Sequence, residues 1–420
     1  MESINSILES AKECLNCKVP MCRKGCPVYT SIPEFISKIK EEKFKEAYKI
    51  LKANNVFSEI CSLVCPTEEQ CMGHCVKRIK GKAVDISKLE LFINSWAREK
   101  SIKYSIKTEK SNNTKVAVIG AGPAGIACAV ELKKKGYEVT IFEKNKKIGG
   151  ILEYEIPDFR LDKKQVERVK KEIEELGIEI KYKFELGKNL SLEKLKNNGY
   201  KSVFLGFGAG EYKSYKLLEE PNSSIIVAKE LFQEYYKKNK ERVLGKTIII
   251  GGGNVAMDVA RVAKRQGASK VTVVYRRNKE QMPAIDSEVK MAEEEGVEFI
   301  FNTKVISVNT NKMNRITSVN CIKTKVEEGL IKDIPKSDYK IPVDTVVFAM
   351  GIGLNEELLN NLGINVENGL AVVDKNGMTN IPGIFAGGDL VEKNQTVCKA
   401  ISSGKKAADG IGEFLVKNKK

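Results

Sequence analysis

The sequence has one histidine and one tryptophan among 420 residues, and aromatic residues make up only 7%. His74 stands alone, which excludes a histidine-rich catalytic metal site, and its position between Cys71 and Cys75 argues against a Ser-His-Asp hydrolase triad. No apolar run approaches the roughly 20 residues that a membrane helix needs. The first residues, MESINSILESAKE, are polar and acidic, unlike a signal peptide. These absences predict a cytoplasmic protein without membrane insertion.

The formal net charge is +16, but the positive charge is spread along the chain. Residues 1–110 hold 20 Lys and Arg against 14 Asp and Glu, and no arginine-rich block or stacking motif accompanies a basic stripe. This distribution argues against a nucleic-acid partner. A solvated lysine surface explains it, and so does a basic face for an acidic electron-transfer partner.

Residues 1–110 contain no convincing strand and carry apolar residues three and four positions apart, which predicts helices. The clearest helical runs are IPEFISKIKEEKFKEAYKILKANN and ISKLELFINSWAREKSIKYS. The polar stretch TEKSNNT, residues 108–114, is typical of a linker.

After this linker the pattern changes to strand, glycine turn, helix and strand, and it occurs twice. The first copy runs from KVAVIG through GAGPAGIACAVELKKKG to YEVTIFEK, and the second from KTIIIGGGNVAMDVARVAKRQG to KVTVVYRR. Two such units predict two doubly wound α/β nucleotide-binding domains. DTVVFAMGIG and IPGIFAGGDL are further buried strands that end in glycines.

In the first copy, Gly120, Gly122 and Gly125 form a G-x-G-x-x-G turn. Such glycines let the backbone turn tightly and approach a pyrophosphate at the helix N-terminus. Glu143 ends the next strand, where a carboxylate accepts hydrogen bonds from ribose hydroxyls. A strand, a glycine turn, a helix and an acid in this order predict a dinucleotide site.

The second copy has Gly251, Gly253 and Ala256, but Arg276 and Arg277 replace the acid at the end of its second strand. Guanidinium groups pair with the 2′-phosphate of NADPH, whereas a carboxylate repels it. We therefore expect NADPH rather than NADH. The alternative is a pair of solvated arginines at a strand end.

Two nucleotide sites in one chain suggest a flavin and a nicotinamide with hydride transfer between them. Cys128, Cys321 and Cys398 are isolated in the sequence, and neither nucleotide domain contains C-x-x-C. The chain therefore lacks the redox disulfide of thioredoxin-reductase-type enzymes. Hydride transfer to a flavin needs no side-chain acid.

The other eight cysteines form two groups, CLNCKVPMCRKGCP and CSLVCPTEEQCMGHC. In a reducing compartment such groups are more often metal ligands than disulfides. The C-P that follows an x3 gap is similar to bacterial iron–sulfur runs, whose last cysteine ligates the other cluster. Structural zinc sites more often have paired C-x2-C knuckles, so iron–sulfur clusters are favoured over zinc.

In order along the chain, the motifs CxxCxxxxCxxxCP, VCPTEEQC, GAGPAG, IPDFRL, GGGNVAMDVA, YRRNKEQMPA and IPGIFAGGD cover residues 14–390. They resemble the family of the glutamate synthase small subunit. That family also includes the flavoprotein subunit of ferredoxin:NADP transhydrogenase and the N-terminal half of dihydropyrimidine dehydrogenase with its bacterial counterpart.

This resemblance implies two 4Fe–4S clusters with crossed ligation. One would be held by Cys14, Cys17, Cys22 and Cys75, and the other by Cys26, Cys65, Cys71 and Glu90. Glu90 lies in LELF, where the family has a glutamate or glutamine ligand. Cys61 would have no iron. Without the resemblance, Glu90 would be interpreted as a solvated helix residue.

The resemblance also implies the residues that bind the nucleotides. For FAD they are Gly120, Ala121, Gly122, Pro123, Ala124, Gly125, Glu143, Gly150, Ile151, Arg160, Gly388, Asp389, Thr396 and Val397. For NADPH they are Gly251, Gly253, Asn254, Val255, Arg276, Arg277, Ala349 and Gly351.

The expected α/β architecture has a helical iron–sulfur domain (1–110), an FAD domain in two pieces (111–215 and 341–420) and an inserted NADPH domain (216–340). The implied enzyme passes electrons from NADPH through FAD and two clusters to a partner subunit in a hetero-oligomer. The glutamate synthase large subunit is the first candidate partner, followed by a pyrimidine dehydrogenase subunit and ferredoxin.

The stretch GEYKSYKLLEEPNSSIIVAKELF departs from the glutamate synthase pattern. A zinc-stapled, non-catalytic nucleotide-binding module is the alternative of another class.

Overall fold

The computed structural model describes residues 3–237, 242–393 and 395–418. The helices are α1 (Ile4–Lys12), α2 (Met21–Gly25), α3 (Ile32–Lys40), α4 (Phe44–Asn54), α5 (Ser58–Val64), α6 (Ile86–Glu99), α7 (Pro123–Lys134), α8 (Ile151–Tyr154), α9 (Lys164–Glu175), α10 (Leu192–Asn197), α11 (Ala228–Tyr236), α12 (Asn254–Arg265), α13 (Asp286–Glu294), α14 (Glu356–Asn361) and α15 (Val397–Lys417). Short 3-10 helices occupy Val76–Ile79, Lys279–Gln281 and Gly388–Leu390.

The strands are β1 (Lys115–Ile119), β2 (Glu138–Glu143), β3 (Glu179–Tyr182), β4 (Tyr200–Leu205), β5 (Gly210–Tyr212), β6 (Ile225–Val227), β7 (Lys246–Ile250), β8 (Lys270–Val274), β9 (Glu298–Ile300), β10 (Thr303–Thr310), β11 (Ile316–Glu327), β12 (Leu330–Asp333), β13 (Tyr339–Pro342), β14 (Thr345–Phe348), β15 (Ile352–Leu354), β16 (Val366–Glu367), β17 (Leu370–Ala371) and β18 (Ile384–Ala386). They belong to two compact units. The first comprises 1–153, 158–209 and 354–420, and the second comprises 154–157 and 210–353.

The helices before residue 110 pack around an apolar core in the first unit. Phe35, Ile36 and Ile39 lie on one face of α3 and are fully buried, as their three- and four-residue spacing predicts. The predicted single helical run from 32 to 55 is instead two helices. The chain leaves the helical conformation at Glu42, whose φ of 56° is in the left-handed region.

Helix α6 begins after Asp85, whose side chain accepts a hydrogen bond from the Lys88 amide and caps the helix. It ends at Glu99, earlier than the apolar pattern predicts, and Ser101 follows with φ 53°. The buried face of α6 includes Glu90, which is only 9% exposed. A carboxylate therefore points into the helical core.

The first unit also contains a parallel sheet with the strand order β18-β4-β1-β2-β3. Val116 to Ile119 of β1 are buried, as expected for the central strand of a parallel sheet covered on both faces. Strand β18 pairs with β4, with Phe385 opposite Phe204, although the two strands are far apart in sequence. The sheet is therefore assembled from two separated parts of the chain.

The second unit contains another parallel sheet, with the order β6-β14-β7-β8-β9. An antiparallel sheet of β10, β11, β12 and β13 accompanies it, and the sequence analysis did not predict this sheet. The first strand of the unit, β5, pairs with its last strand, β15. The Lys213 amide extends this pairing by donating to the Gly351 carbonyl at 3.0 Å.

In the part of the chain that the structure describes, none of the helices has both the length and the apolar character needed to cross a membrane.

The packing of α7 on the first sheet yields a stability prediction for Gly125→Ala. A Cβ at position 125 would lie 1.9 Å from the Gly120 carbonyl oxygen, so the backbone must shift. We expect overpacking to lower the free energy of unfolding of the flavin-free protein by about 1–3 kcal/mol, measured by urea denaturation.

Gly122→Ala in the same turn is the matched control. Its Cβ would approach only the Gly206 carbonyl oxygen, at 4.0 Å, and its φ of −81° suits alanine. We expect unchanged or slightly higher stability, by up to about 1 kcal/mol, but lower FAD content because the side chain would occupy the position predicted for the pyrophosphate. If both substitutions lower the free energy of unfolding equally, the loss of stability in Gly125→Ala does not come from the close contact with the Gly120 carbonyl oxygen.

Candidate functional site

The first glycine turn is fixed by backbone hydrogen bonds and by one buried carboxylate. Glu143, 4% exposed, accepts hydrogen bonds from the Ala121 amide and the Asn145 amide, each at 2.8 Å. The Gly120 amide donates to the Phe142 carbonyl at 2.8 Å, and Gly120 has a φ of 99° that only glycine adopts readily. Glu143 therefore holds the turn in addition to its predicted contact with ribose.

The N-terminus of α7 has the features of an anion site. Gly122 is the N-cap and provides no side-chain hydrogen bond, Pro123 occupies the first turn, and the first turn contains no acidic residue. Gly150 lies against this turn, since a Cβ there would be 3.3 Å from the Gly122 Cα. The free amides and the positive end of the helix dipole favour a phosphate.

The C-terminal FAD segment reaches the same helix. A Cβ at Gly388 would lie 2.9 Å from the Ala124 Cβ, and the Gly388 amide donates to Ser403 Oγ at 2.6 Å. Thr396 is the N-cap of α15 and its hydroxyl accepts from the Lys399 amide. The structure thus places Ala124, Gly150 and Gly388 around one turn. Arg160 is half-buried and precedes α9.

The second glycine turn has the same construction in the other unit. A Cβ at Gly251 would lie 2.2 Å from the Ala349 carbonyl oxygen, which brings the predicted residues on β7 and β14 together. Nothing lies within 4 Å of a Cβ at Gly253, the N-cap of α12. The Asn254 side chain accepts a hydrogen bond from the Ile285 amide at 3.0 Å. The start of α12 is therefore open to a phosphate group.

Arg276 and Arg277 follow β8, where their carbonyls are fixed and their guanidinium groups are not. The Arg276 carbonyl accepts from Thr324 Oγ1 and the Arg277 carbonyl from the Asn302 amide, both at 2.9 Å. Arg276 is exposed and Arg277 half-buried. Within the described residues, neither guanidinium group has an ion pair. The backbone thus presents two cations that are free to bind an anion.

The first group of thiols lies beside the helical core. The pKa of Cys22 is raised to about 11, mainly by burial and to a smaller extent by the neighbouring thiols of Cys14, Cys75 and Cys17. These are the four cysteines of the first predicted ligand set. Because a thiol with so high a pKa is not a thiolate at neutral pH, a bound cation is needed to keep Cys22 ionised.

A second group surrounds Glu90. Burial raises the pKa of Cys71, and the nearby Cys26 and Glu90 raise it further. Burial alone raises the pKa of Glu90 to about 8, and within the described residues its carboxylate oxygens have no hydrogen-bond partner. A carboxylate without such a partner beside buried thiols fits an iron ligand, because a metal offsets the cost of burying the charge.

Cys65, the remaining member of the second ligand set, makes contacts that the sequence analysis missed. It shares a hydrogen bond with Cys398, which raises the pKa of Cys65, and Cys61 is also adjacent. Cys398 Sγ donates to Gln70 Oε1 at 3.0 Å. Cys398, which is isolated in the sequence, therefore lies beside the second ligand set in space, through a contact made by the first turn of α15. Cys61 accepts a hydrogen bond from Asn55 at 3.3 Å.

His74 is exposed, and its ring covers Gly25, which directly precedes Cys26. A Cβ at Gly25 would lie 2.5 Å from the ring, and His74 Nδ1 is 2.7 Å from the Gln70 carbonyl oxygen. Among the described residues, no three cysteine, histidine or acidic side chains converge closely enough to hold a single metal ion.

Comparison with known proteins identifies the class. The family model described as pyridine nucleotide-disulphide oxidoreductase matches residues 114–404. A second family model, dihydropyrimidine dehydrogenase domain II, 4Fe-4S cluster, matches residues 2–102. The first implies binding of FAD and a nicotinamide nucleotide, and the second implies an iron–sulfur cluster.

Several relatives match almost the whole chain. The glutamate synthase [NADPH] small chain of Escherichia coli K12 is 34% identical over 96% of this chain and 90% of its own. That of Azospirillum brasilense is 34% identical over 97% and 88%. The NAD-dependent dihydropyrimidine dehydrogenase subunit PreT of Escherichia coli O157:H7 is 31% identical over 97% and 94%.

Solved structures share the fold at lower identity. Mycobacterium tuberculosis FprA in complex with NADPH is 16% identical, with a TM-score of 0.64 over 73% of this chain and 86% of its own. Lactococcus lactis thioredoxin reductase is 22% identical, with a TM-score of 0.55 over 73% and 100%.

The chain belongs to the glutamate synthase small-chain-like family of pyridine nucleotide-disulphide oxidoreductases. This membership confirms the predicted family, the flavin and iron–sulfur oxidoreductase class and the role as an electron-transfer subunit. The α/β class with nucleotide-binding domains and an N-terminal iron–sulfur domain is confirmed as well.

Coenzyme choice is predicted to depend on the two arginines after β8. Arg276→Ala with Arg277→Ala should raise KM for NADPH far more than KM for NADH. Two lost charge-assisted contacts correspond to about 2–5 kcal/mol, because each contributes about 1.5–3 kcal/mol and they are not additive. Steady-state kinetics with both coenzymes measure the difference.

Arg315→Ala, at an exposed arginine of the same unit, is the control and should leave both KM values unchanged. If the double variant weakens both coenzymes equally, Arg276 and Arg277 do not bind the 2′-phosphate.

A second prediction concerns Glu90. Replacing it with an apolar residue should lower the iron content if its carboxylate is an iron ligand, but should leave the iron content unchanged if the carboxylate is only buried. Glu90→Leu should lose iron if the carboxylate is a ligand, whereas Glu90→Gln should keep it because an amide oxygen can still coordinate. If Glu90 is only a desolvated carboxylate, the leucine variant should keep its iron and become more stable. Iron and sulfide content and thermal unfolding are the measurements.

Glu99→Leu, on the exposed end of the same helix, controls for the added apolar side chain and should retain all iron.

Proposed function

We propose that this protein oxidises NADPH, transfers the hydride to FAD and exports the electrons through two 4Fe–4S clusters to a partner protein. Flavin accepts two electrons as hydride, and iron–sulfur clusters pass electrons on one at a time. The observation that carries the proposal is one chain with two glycine turns and two groups of thiols that are at least half-buried. A carboxylate follows the first turn, and two arginines without an ion pair among the described residues follow the second.

We base the proposed domain arrangement on the two parallel sheets and on the parts of the chain that form each of them. The helical iron–sulfur domain takes residues 1–110. The first piece of the FAD domain ends at 209 rather than at 215, and the second begins at 354 rather than at 341, because β14 pairs with β6 and β7 of the second unit. The pairing of β18 with β4 supports the two-piece FAD domain. The NADPH domain is the insertion, and it takes residues 210–353 rather than the predicted 216–340, in agreement with the second compact unit.

In this proposal the chain binds FAD at the start of α7. The amides after Gly122 receive the pyrophosphate, Glu143 receives the ribose hydroxyls, and Asp389 binds the ribityl–phosphate region. The amides near Thr396 and Val397 face the pyrimidine edge of the flavin ring. The buried position of Glu143 and the open N-terminus of α7 support these roles.

For NADPH, the amides after Gly253 receive the pyrophosphate and the two arginines receive the 2′-phosphate. The absence of contacts around a Cβ at Gly253 and of ion pairs at Arg276 and Arg277, within the described residues, supports this orientation.

The proposed ligand sets are crossed between the cysteine groups. Cys14, Cys17, Cys22 and Cys75 hold one cluster, which agrees with the electrostatic neighbours of Cys22. Cys26, Cys65, Cys71 and Glu90 hold the other, supported by the contacts of Cys71 with Cys26 and Glu90.

The proposed partner is the large subunit of a glutamate synthase, in a hetero-oligomer. The 34% identity to two glutamate synthase small chains over nearly the whole chain supports this choice. A pyrimidine dehydrogenase subunit is the second candidate, supported by the likeness to PreT and by the departure from the glutamate synthase pattern at residues 210–232.

The test compares Cys14→Ala with Cys26→Ala. If ligation is crossed, each variant should lose a different cluster, so that EPR spectra of the reduced proteins differ while iron content falls in both. Both variants should keep FAD and reduce ferricyanide, which takes electrons directly from the flavin, and both should fail to reduce the partner protein.

Cys128→Ala is the control, because Cys128 is buried in α7 away from both groups. Loss of the same single cluster in both variants would show that the four N-terminal cysteines bind one centre together. Full iron retention with normal partner reduction would remove the proposed electron route.

A further inference from the structure

Large apolar side chains are exposed around the first group of thiols. Leu15, Val19 and Ile79 are 64%, 61% and 82% exposed. Leu15 and Val19 lie between Cys14 and Cys22, and Ile79 lies four residues after Cys75. We call residues 15–24 and 76–82 the cysteine-loop surface.

The two segments of this surface are neighbours in space. Cys22 in the first segment and Cys75, which directly precedes the second segment, pack against the same apolar core. Lys77 of the second segment forms an ion pair with Glu13, next to Cys14. The exposed apolar side chains are thus gathered at the end of the unit that carries the first predicted ligand set.

The charge of the cysteine-loop surface has one sign. It contains seven basic residues and no acidic ones: Lys18, Arg23, Lys24, Lys77, Arg78, Lys80 and Lys82. Arg23 pairs with Glu34 at 3.0 Å and Lys77 pairs with Glu13. The other five are exposed, and in the described part of the chain none of them forms an ion pair. Five cations therefore border the apolar side chains.

Charge compensation of an iron–sulfur centre does not explain this surface, because lysines can neutralise thiolates without exposed leucine, valine and isoleucine. A lysine surface that only contacts water does not explain the exposed leucine, valine and isoleucine either. An apolar centre with a charged rim is the composition of a protein–protein contact, in which apolar burial supplies affinity and the rim supplies steering.

We propose that the cysteine-loop surface docks an electron-accepting protein whose own surface has an acidic rim around an apolar centre. The inference rests on the proposed function, since the acceptor takes electrons exported by the thiol-held centre. One NADPH supplies two electrons, which reduce two one-electron acceptor molecules and leave NADP⁺ and one proton. Each acceptor iron centre is reduced by one electron.

The experiment uses the complete holoprotein with an acidic 2Fe–2S ferredoxin as the probe and ferricyanide as a second acceptor. Arg78→Glu with Lys80→Glu reverses the rim, and Val19→Ser with Ile79→Ser removes apolar contact. Lys312→Glu with Lys375→Glu, at exposed lysines elsewhere, is the matched control.

We expect rim reversal to lower kcat/KM for ferredoxin about tenfold or more and the serine pair to lower it as well, while the control pair has little effect. Raising the ionic strength from about 0.01 M to about 0.15 M, which shortens the Debye length from about 30 Å to about 8 Å, should slow the unsubstituted protein and not the rim-reversed one. Ferricyanide reduction and iron content should stay unchanged in every variant.

Equal kcat/KM for ferredoxin in the rim-reversed, serine and control variants would overturn the docking assignment while leaving electron export intact. If the unsubstituted protein reduces ferricyanide but no ferredoxin at any salt concentration, the docking proposal fails. The proposed export fails only if the glutamate synthase large subunit is not reduced either.

Discussion

Helix α7 is held by backbone contacts on two sides, and the first unit depends on that close approach. A Cβ at Gly125 would lie 1.9 Å from the Gly120 carbonyl oxygen, and a Cβ at Gly404 of α15 would lie 2.1 Å from the Ala124 carbonyl oxygen. These glycines let α7 sit directly between the sheet and α15. The same contacts aim the first turn of α7 at the position proposed for the pyrophosphate, so packing and binding share one set of atoms.

Burial has different consequences for the acidic groups of this unit. Glu143 is buried but accepts two amide hydrogen bonds, which replace the water it loses. Glu90 is buried without such donors among the described residues, and its pKa rises to about 8. The hydrogen bonds of the fold itself therefore satisfy Glu143. Glu90 lacks such bonds, which is a reason to expect that the protein folds with a bound group beside this carboxylate.

The sequence predicted the local features well because they depend on neighbouring residues. The glycine turns, the strands on either side and the acid at Glu143 repeat a short pattern whose geometry is set by backbone conformation. Contacts over long distances were not predictable: Gln70 and Cys398 are 328 residues apart, and no periodicity connects them. The break at Glu42 was missed because apolar spacing continues across it, and the sheet of β10 to β13 was missed because no motif marks it. The ligand sets came from resemblance, since cysteine spacing alone leaves several pairings possible.

The pairing of β5 with β15 places the beginning and the end of the second unit side by side. A segment whose ends are already adjacent can be exchanged for another of the same kind without stretching the chain on either side. Residues 210–353 therefore form an insertion that can be exchanged as one piece of the sequence. Replacing these residues would exchange the nicotinamide site proposed above, while the thiol groups and the first glycine turn stay as they are.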